Sequence, residues 1–199
     1  MTEGLVLASA STIRAQLLAA AGIDFRTEPA ELDESLLKQA WRAEGRDAAD
    51  CALVLAEAKA GQVSARFDRA VVIGADQLLV CGEAWFDKPA NLGQARTQLK
   101  GLRGHTHELV TAVCAVRDGS RLWHAVSRPR LTMRHFSDAF LDDYIAAQGA
   151  DILGSVGAYR VESRGVQLFE RIEGDFFAIL GLPLVELFDF LRASGMILS

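Results

Sequence analysis

Apolar residues recur along this chain in two rhythms, and the switches between them mark an alternation of strands and helices. Residues 4–8 form a short continuous apolar run, which predicts a buried strand. Ile13, Leu17 and Ala20 then fall at helical spacing, predicting a helix through Ala21 that Gly22 stops. A second strand is expected over 25–28, closed by Pro29, with helices over 36–44 and 47–65 interrupted near Gly45. The densest β-branched stretch is Val71-Val72-Ile73, followed by Gly74-Ala75 and the polar pair Asp76-Gln77. It predicts a central buried strand that brings its backbone up tight at the glycine and ends on Asp76. Residues 78–81 and 84–86 read as a hairpin around Gly82-Glu83, 92–102 as a helix, and 107–116 as a strand turning at Asp118-Gly119. Residues 122–126 pair back, and 128–134 continue the sheet. Ser137 caps a helix that ends at Gly149, 154–161 is short and glycine-rich, and 166–172 reads as a strand. Gly174-Asp175 is a turn, 176–180 is apolar, and 184–193 is the last helix. No repeat, low-complexity tract or linker interrupts this order, which predicts one compact α/β unit over 1–199.

Bulk composition narrows the classes without choosing among them. The 199 residues suit one domain, or one with a small subdomain, and 50% hydrophobic with 24% charged content is ordinary for a soluble globular enzyme. A net charge of −5 argues against nucleic acid as partner, since that requires a basic face, yet leaves room for a local cationic cluster around a small anion. Cys51, Cys81 and Cys114 are odd in number and lack CxxC spacing, which fits reduced thiols better than disulfides or zinc. No segment reaches the roughly 20 apolar residues of a membrane span, and the first residues lack the basic start of a signal peptide. The expectation is a cytoplasmic protein with no membrane partner. His105 and His107 are two apart and could converge, but the further ligands zinc needs are not offered by the cysteines.

Chemistry enters at element ends. A carboxylate at the carboxyl end of a strand in an α/β protein is placed where ligands sit, although an Asp ending a strand also serves as a plain turn residue. Ser9-Ala10-Ser11-Thr12-Ile13-Arg14 joins the first strand to the first helix. Unpaired N–H groups, a positive helix dipole and two hydroxyls make such a turn a phosphate holder, and an anion there would offset the placement of Arg14 in the first turn. Plain N-capping by Ser11 is the other reading. Glu31-Leu32-Asp33-Glu34-Ser35 either binds a divalent cation through carboxylate oxygens or is a solvated helix start. Lys59 lies in an apolar stripe with Ala52, Leu55, Ala56 and Val63, so it either snorkels to water or points at an anion. Lys88 is fixed in extended backbone by Pro89. No GxSxG, GxxxxGK[ST] or GxGxxG occurs, so elbow-hydrolase, P-loop and dinucleotide readings lack their fingerprints.

Taken together, LASASTIR (7–14), LDES (32–35), LAEAKA (55–60), VIGADQ (72–77), DKPA (87–90), LRGHTHE (102–108), VGAY (156–159) and ERIEGDFFAILGLPLVEL (170–187) resemble the Maf family of nucleoside triphosphate pyrophosphatases nearly end to end. The resemblance implies an inosine triphosphatase-like α/β fold: a long mixed β-sheet flanked by helices, with two lobes around a cleft. It implies hydrolysis of a nucleoside triphosphate to monophosphate and pyrophosphate with a divalent cation, Mg²⁺ or Mn²⁺. It also implies a homodimer, and links the family to removal of modified or non-standard nucleotides and to arrest of cell division.

On this chain the resemblance makes Asp76 the catalytic proton acceptor and a metal ligand too, and Glu34 an acid that helps hold the metal. It makes Ser9, Ser11 and Arg14 the phosphate-binding turn, with Lys59 and Lys88 the lysines along the phosphate path. Fixed cations and a metal suit such a reaction, because attack at phosphorus adds charge to the departing pyrophosphate. Three positions bear on the base. The family's SxSPRR turn has Thr12 and Ile13 here in place of the proline and first arginine, and the branch acting on dTTP and UTP has that arginine, a threonine after the Asp and a glutamine in the late loop. Here those positions are Ile13, Gln77 and Glu162, a pattern similar to the branch acting on 7-methyl-GTP, although Ile13 is not the aromatic expected there and Ser163-Arg164 departs from the usual continuation. A nucleotide-binding regulator of cell division without turnover is the rival reading, and the Asp76, Glu34, Lys59 and Lys88 set favours the enzyme.

Overall fold

A computed structural model of the chain describes residues 4–198. The N-terminal residues read above for their lack of basic character lie, but for Gly4, outside them, as does Ser199. Among the described residues, a mixed eight-stranded sheet has the order β2-β1-β3-β5-β7-β8, with β4 paired to β3 and β6 to β5. The strands are β1 (Leu5–Leu7), β2 (Arg26–Thr27), β3 (Val71–Cys81), β4 (Ala84–Phe86), β5 (Thr106–Arg117), β6 (Ser120–Ser127), β7 (Arg130–Met133) and β8 (Phe169–Glu173). The helices are α1 (Thr12–Ala20), α2 (Ser35–Ala43), α3 (Ala48–Ser64), α4 (Leu92–Leu102), α5 (Asp138–Gln148), α6 (Phe176–Ile179) and α7 (Leu184–Ala193). β1 lies parallel to both β2 and β3, whereas the β5–β6, β5–β7 and β7–β8 pairs are antiparallel.

The chain divides into two compact units. One comprises the chain up to Gln77, Thr111–Ser127 and the chain from Asp175 onward; the other comprises Leu78–Val110 and Arg128–Gly174. In the first unit, Leu5, Leu7, Val71, Ile73, Ala75, Val113 and Ala115 of the sheet bury one face against Leu18 of α1 and Leu187 and Leu191 of α7. Strand side chains alternate faces, so Val72, Gly74 and Asp76 take the opposite face. There Gly74 lies so close to α3 that a Cβ would meet the carbonyl of Ala56. In the second unit Leu99, Leu102, Leu131, Met133, Leu141, Tyr144 and Leu168 are fully buried.

Two expectations change. The central strand does not end on Asp76: β3 continues through Gln77 to Cys81, because Leu78 and Leu79 are buried and Leu79, Val80 and Cys81 pair with β4. The strand expected from residue 166 begins only at Phe169. The Ser163 amide and hydroxyl both donate to the Arg160 carbonyl, at 3.2 and 3.1 Å, closing one turn. The Val166 amide donates to the Ser163 carbonyl at 3.2 Å, opening the 3-10 turn Arg164–Leu168. The apolar run 176–180 is the short helix α6, whose first amides, those of Phe177 and Ala178, donate to Asp175. The three cysteines carry free thiols.

Candidate active site

The site grows from two adjacent elements of the first unit, α3 and the middle of β3. Asp76 lies on the α3 face of the strand and is 4% exposed. Lys59, in the apolar stripe of α3, donates to Asp76 Oδ1 at 2.5 Å, so it does not snorkel outward. The same ammonium lies 2.6 Å from Glu34 Oε1, and Lys38, one helical turn on from Glu34, holds Oε2 at 2.7 Å. Burial pushes the Glu34 carboxyl up, but Lys59 and Lys38 outweigh it and hold it at about 2. Asp76 Oδ2 is buried with no hydrogen-bond partner among the described residues.

The acidic run before α2 divides its labour. Asp33 Oδ1 accepts from the Ser35 amide at 3.0 Å and the Ser35 hydroxyl at 2.6 Å, so this residue does start the helix. Glu34 is the one turned toward the lysines. Gln62 of α3 pins the loop by clasping the backbone of Glu31 in both directions, at 2.8 and 2.9 Å.

The turn before α1 stands beside this cluster. Arg14 donates from Nε to the Gly181 carbonyl at 2.7 Å, and from Nη1 to the Ala75 carbonyl at 2.9 Å and Ser9 Oγ at 3.2 Å. Gly181, at a φ of +98°, has no Cβ to crowd that guanidinium. Pairing with β1 covers only Val71, Val72 and Ile73, so the Ala75 carbonyl just beyond is taken by Arg14. Burial pulls the guanidinium down, while the charges of Asp76 and Glu34 push it back up, which puts Arg14 in the field of both acids. Ser9 Oγ also accepts from the Ser11 amide at 3.2 Å, which leaves its own O–H as a donor. Ser11 occupies the N-cap position of α1 but its side chain makes no capping hydrogen bond, so the helix retains unsatisfied amides suited to an anion.

The structure therefore brings Asp76, Glu34, Lys59, Arg14 and Ser9 together, with Ser11 and Ile13 in the same turn. Gln77 points to the other face of β3 from Asp76. Its amide donates to Thr111 Oγ1 at 2.8 Å and to the carbonyls of Ala178 and Ile179 at 2.9 and 3.1 Å, tying the strand to α6. Lys88 and Glu162 belong to the second unit: Lys88 is exposed after β4, and Glu162 accepts from Arg160 Nε at 2.9 Å. Lys38, Thr111 and Gly181 were not singled out from the sequence. For Lys38 the signal was present, as the i,i+4 spacing from Glu34; for the other two, nothing local marks the long-range partner.

Among the described residues no group of three His, Cys, Asp or Glu side chains is placed to hold a metal. A hard cation such as Mg²⁺ is commonly held by one or two carboxylates, with water and substrate phosphates completing its shell. Glu34 and Asp76, with one buried oxygen of Asp76 unpartnered, fit that donor set. Among the same residues no helix is long and apolar enough to cross a membrane.

Known proteins resemble this chain in sequence over nearly its whole length. The Maf-like protein family matches residues 4–194. A nucleoside triphosphate pyrophosphatase of Granulibacter bethesdensis is 54% identical over 188 residues, which is 94% of this chain and 95% of that protein. One of the same name from Paramagnetospirillum magneticum is 54% identical over 190 residues, covering 96% and 98%. A 7-methyl-GTP pyrophosphatase of Mesorhizobium japonicum is 47% identical over 197 residues, 99% of each chain.

Proposed function

The chain belongs to the Maf-like protein family, and from that premise we propose that it is a nucleoside triphosphate pyrophosphatase, cleaving between the α- and β-phosphates to give a monophosphate and pyrophosphate. The observation that carries this reading is the buried Asp76, with one oxygen held by Lys59 and the other unpartnered. Asp76 is the general base, taking a proton from the attacking water, and Lys59 holds its carboxylate in orientation until substrate arrives. Glu34 and Asp76 would hold the divalent cation, which supplies charge neutralisation for the phosphoryl oxygens. Arg14, anchored through two backbone carbonyls, is a fixed positive charge beside the amides of α1. It orients the triphosphate together with Ser9 and Ser11 and stabilises the departing pyrophosphate.

The base preference we assign is 7-methylated guanine. Supporting it are Ile13 where an arginine marks the dTTP and UTP branch, Glu162 as a carboxylate suited to a cationic base, and the names of relatives such as that of Mesorhizobium japonicum. Gln77 has its amide committed to Thr111 and α6, so its contribution is to position β3. The phosphate role of Lys88, the homodimer, the cytoplasmic setting, the single functional domain over 1–199 and any part in nucleotide-pool cleansing or division arrest rest on the sequence resemblance. The test is to incubate purified protein with Mg²⁺ or Mn²⁺ and a panel including 7-methyl-GTP, dTTP, UTP and GTP. Pyrophosphate should be the direct product, 7-methyl-GTP the best substrate, and Asp76→Asn should lose about 10²–10⁴-fold in turnover while remaining folded. Orthophosphate as direct product, or an active Asp76→Asn, would overturn it.

A further inference from the structure

The carboxylates suited to a divalent cation are already bridged. Lys59 Nζ lies 2.5 Å from Asp76 Oδ1 and 2.6 Å from Glu34 Oε1, and is therefore a cation shared by both acids. Its side chain is 13% exposed, and that of Asp76 is 6% exposed, so water screens this contact weakly. Lys38 neutralises the other oxygen of Glu34. Two acids thus face two ammoniums, with Arg14 in the field of both acids. A divalent cation entering that group meets like charge, and it must take oxygens that Lys59 holds.

We propose that Lys59 is a built-in counter-ion for the Glu34–Asp76 pair, which it vacates only when a triphosphate gives its ammonium a new partner, so that divalent cation and nucleotide bind cooperatively. Lysine suits this exchange: its charge is compact and its four-carbon stem flexible, so the head can move while α3 stays fixed against Gly74. Release of Lys59 opens Asp76 Oδ1 and Glu34 Oε1 to the incoming cation, and the buried Asp76 Oδ2, without a partner among the described residues, is a further oxygen of the same donor set. The inference rests on the pyrophosphatase reading only for the identity of the anion. Its consequence is that the protein does not accumulate bound metal in the absence of nucleotide.

The test is Mn²⁺ binding followed by the loss of the free-ion paramagnetic resonance signal, with no nucleotide present. Lys59→Met and Lys59→Gln, checked for folding by circular dichroism, should bind one Mn²⁺ at least about tenfold more tightly than the unaltered protein. Lys59→Arg should bind it as weakly as the unaltered protein, and adding Glu34→Gln to Lys59→Met should remove the gain. In the unaltered protein a non-hydrolysable α,β-methylene triphosphate should tighten Mn²⁺ binding by a similar factor, after correction for Mn²⁺ held by the analogue in solution. Unchanged or weaker Mn²⁺ binding by the folded neutral variants would overturn the proposal, as would metal binding to the unaltered protein as tightly without the analogue as with it. A protein that shows this coupling yet hydrolyses no triphosphate would sink the pyrophosphatase reading and leave the exchange standing. An active hydrolase whose folded Lys59→Met gains no metal affinity would do the reverse.

Discussion

Gly74 stands where β3 passes against α3, and a Cβ there would run into the carbonyl oxygen of Ala56 and the methyl of Ala60. The nearest obstacle is backbone, so Gly74→Ala cannot be absorbed by a rotamer change and must push helix and strand apart. Overpacking of this kind costs about 1–3 kcal/mol, to be read as a lower urea midpoint. The same displacement moves Lys59 relative to Asp76, so turnover per folded molecule should fall too; a variant with unchanged midpoint and full turnover would show that the close approach sets nothing. The tight passage was legible in Gly74-Ala75, and the position of Lys59 was legible in its helical stripe. Which of two fates Lys59 met was not, because the deciding carboxylates lie at residues 34 and 76, beyond the reach of any local pattern. Gln77 shows the same limit. The branch resemblance marks it as a specificity position, and the alternation of the strand turns it to the opposite face from Asp76, toward Thr111 and Ala178.

Elements were easier to find than their ends. Helix 92–102 and helix 184–193 match the apolar periodicity residue for residue, since their caps and glycines stop them locally. β3 overran its predicted end because a polar pair inside a strand looks like a turn when its burial and pairing are supplied from elsewhere. β5 carries a further feature set by packing. His107, near its start, is 1% exposed, shares a 2.8 Å hydrogen bond from Nε2 with the Tyr159 hydroxyl, and has Phe169 6.0 Å away between ring centres. Burial pulls its imidazole from 6.5 down to about 4. Between those values the unfolded chain binds a proton that the folded chain refuses, so the neutral ring's contribution is intact above about pH 6.5 and is lost progressively down to about pH 4. Roughly 3 kcal/mol is at stake over the full interval, and about 2 kcal/mol should be gone by pH 5. Urea denaturation at pH 7.5 and 5 should show this loss in the unaltered protein and a shallower one in His107→Gln. Equal losses in the two proteins would remove His107 as the cause.

At the scale of the whole molecule, the composition announces a single unit without linkers, and the structure accounts for why two compact units leave no such mark. Two of the four junctions, Gln77/Leu78 and Val110/Thr111, fall inside the continuous strands β3 and β5. A junction inside a strand carries the same β-branched, apolar composition as the strand itself, so no Gly, Pro or Ser enrichment signals it. The chain can therefore be lengthened at some places and not at others, in a pattern that the boundaries between units would not suggest. The β3–β4 turn at Gly82-Glu83 is exposed, and Gly82 has a φ of +59° with open space around it. Longer loops are tolerated at such turns, because closing them costs only a slowly growing entropy. At Gln77/Leu78 the backbone is mid-strand, Leu78 and Leu79 are buried, and the Gln77 amide is engaged by Thr111 and α6. Six Gly-Ser residues inserted between Gly82 and Glu83 should leave a soluble protein whose melting temperature falls by no more than a few degrees. The same insertion between Gln77 and Leu78 slips the register beyond Asp76 and should abolish the cooperative melt monitored by circular dichroism. A cooperative melt at the original temperature after insertion at Gln77/Leu78 would mean that the two halves of β3 fold without their continuity.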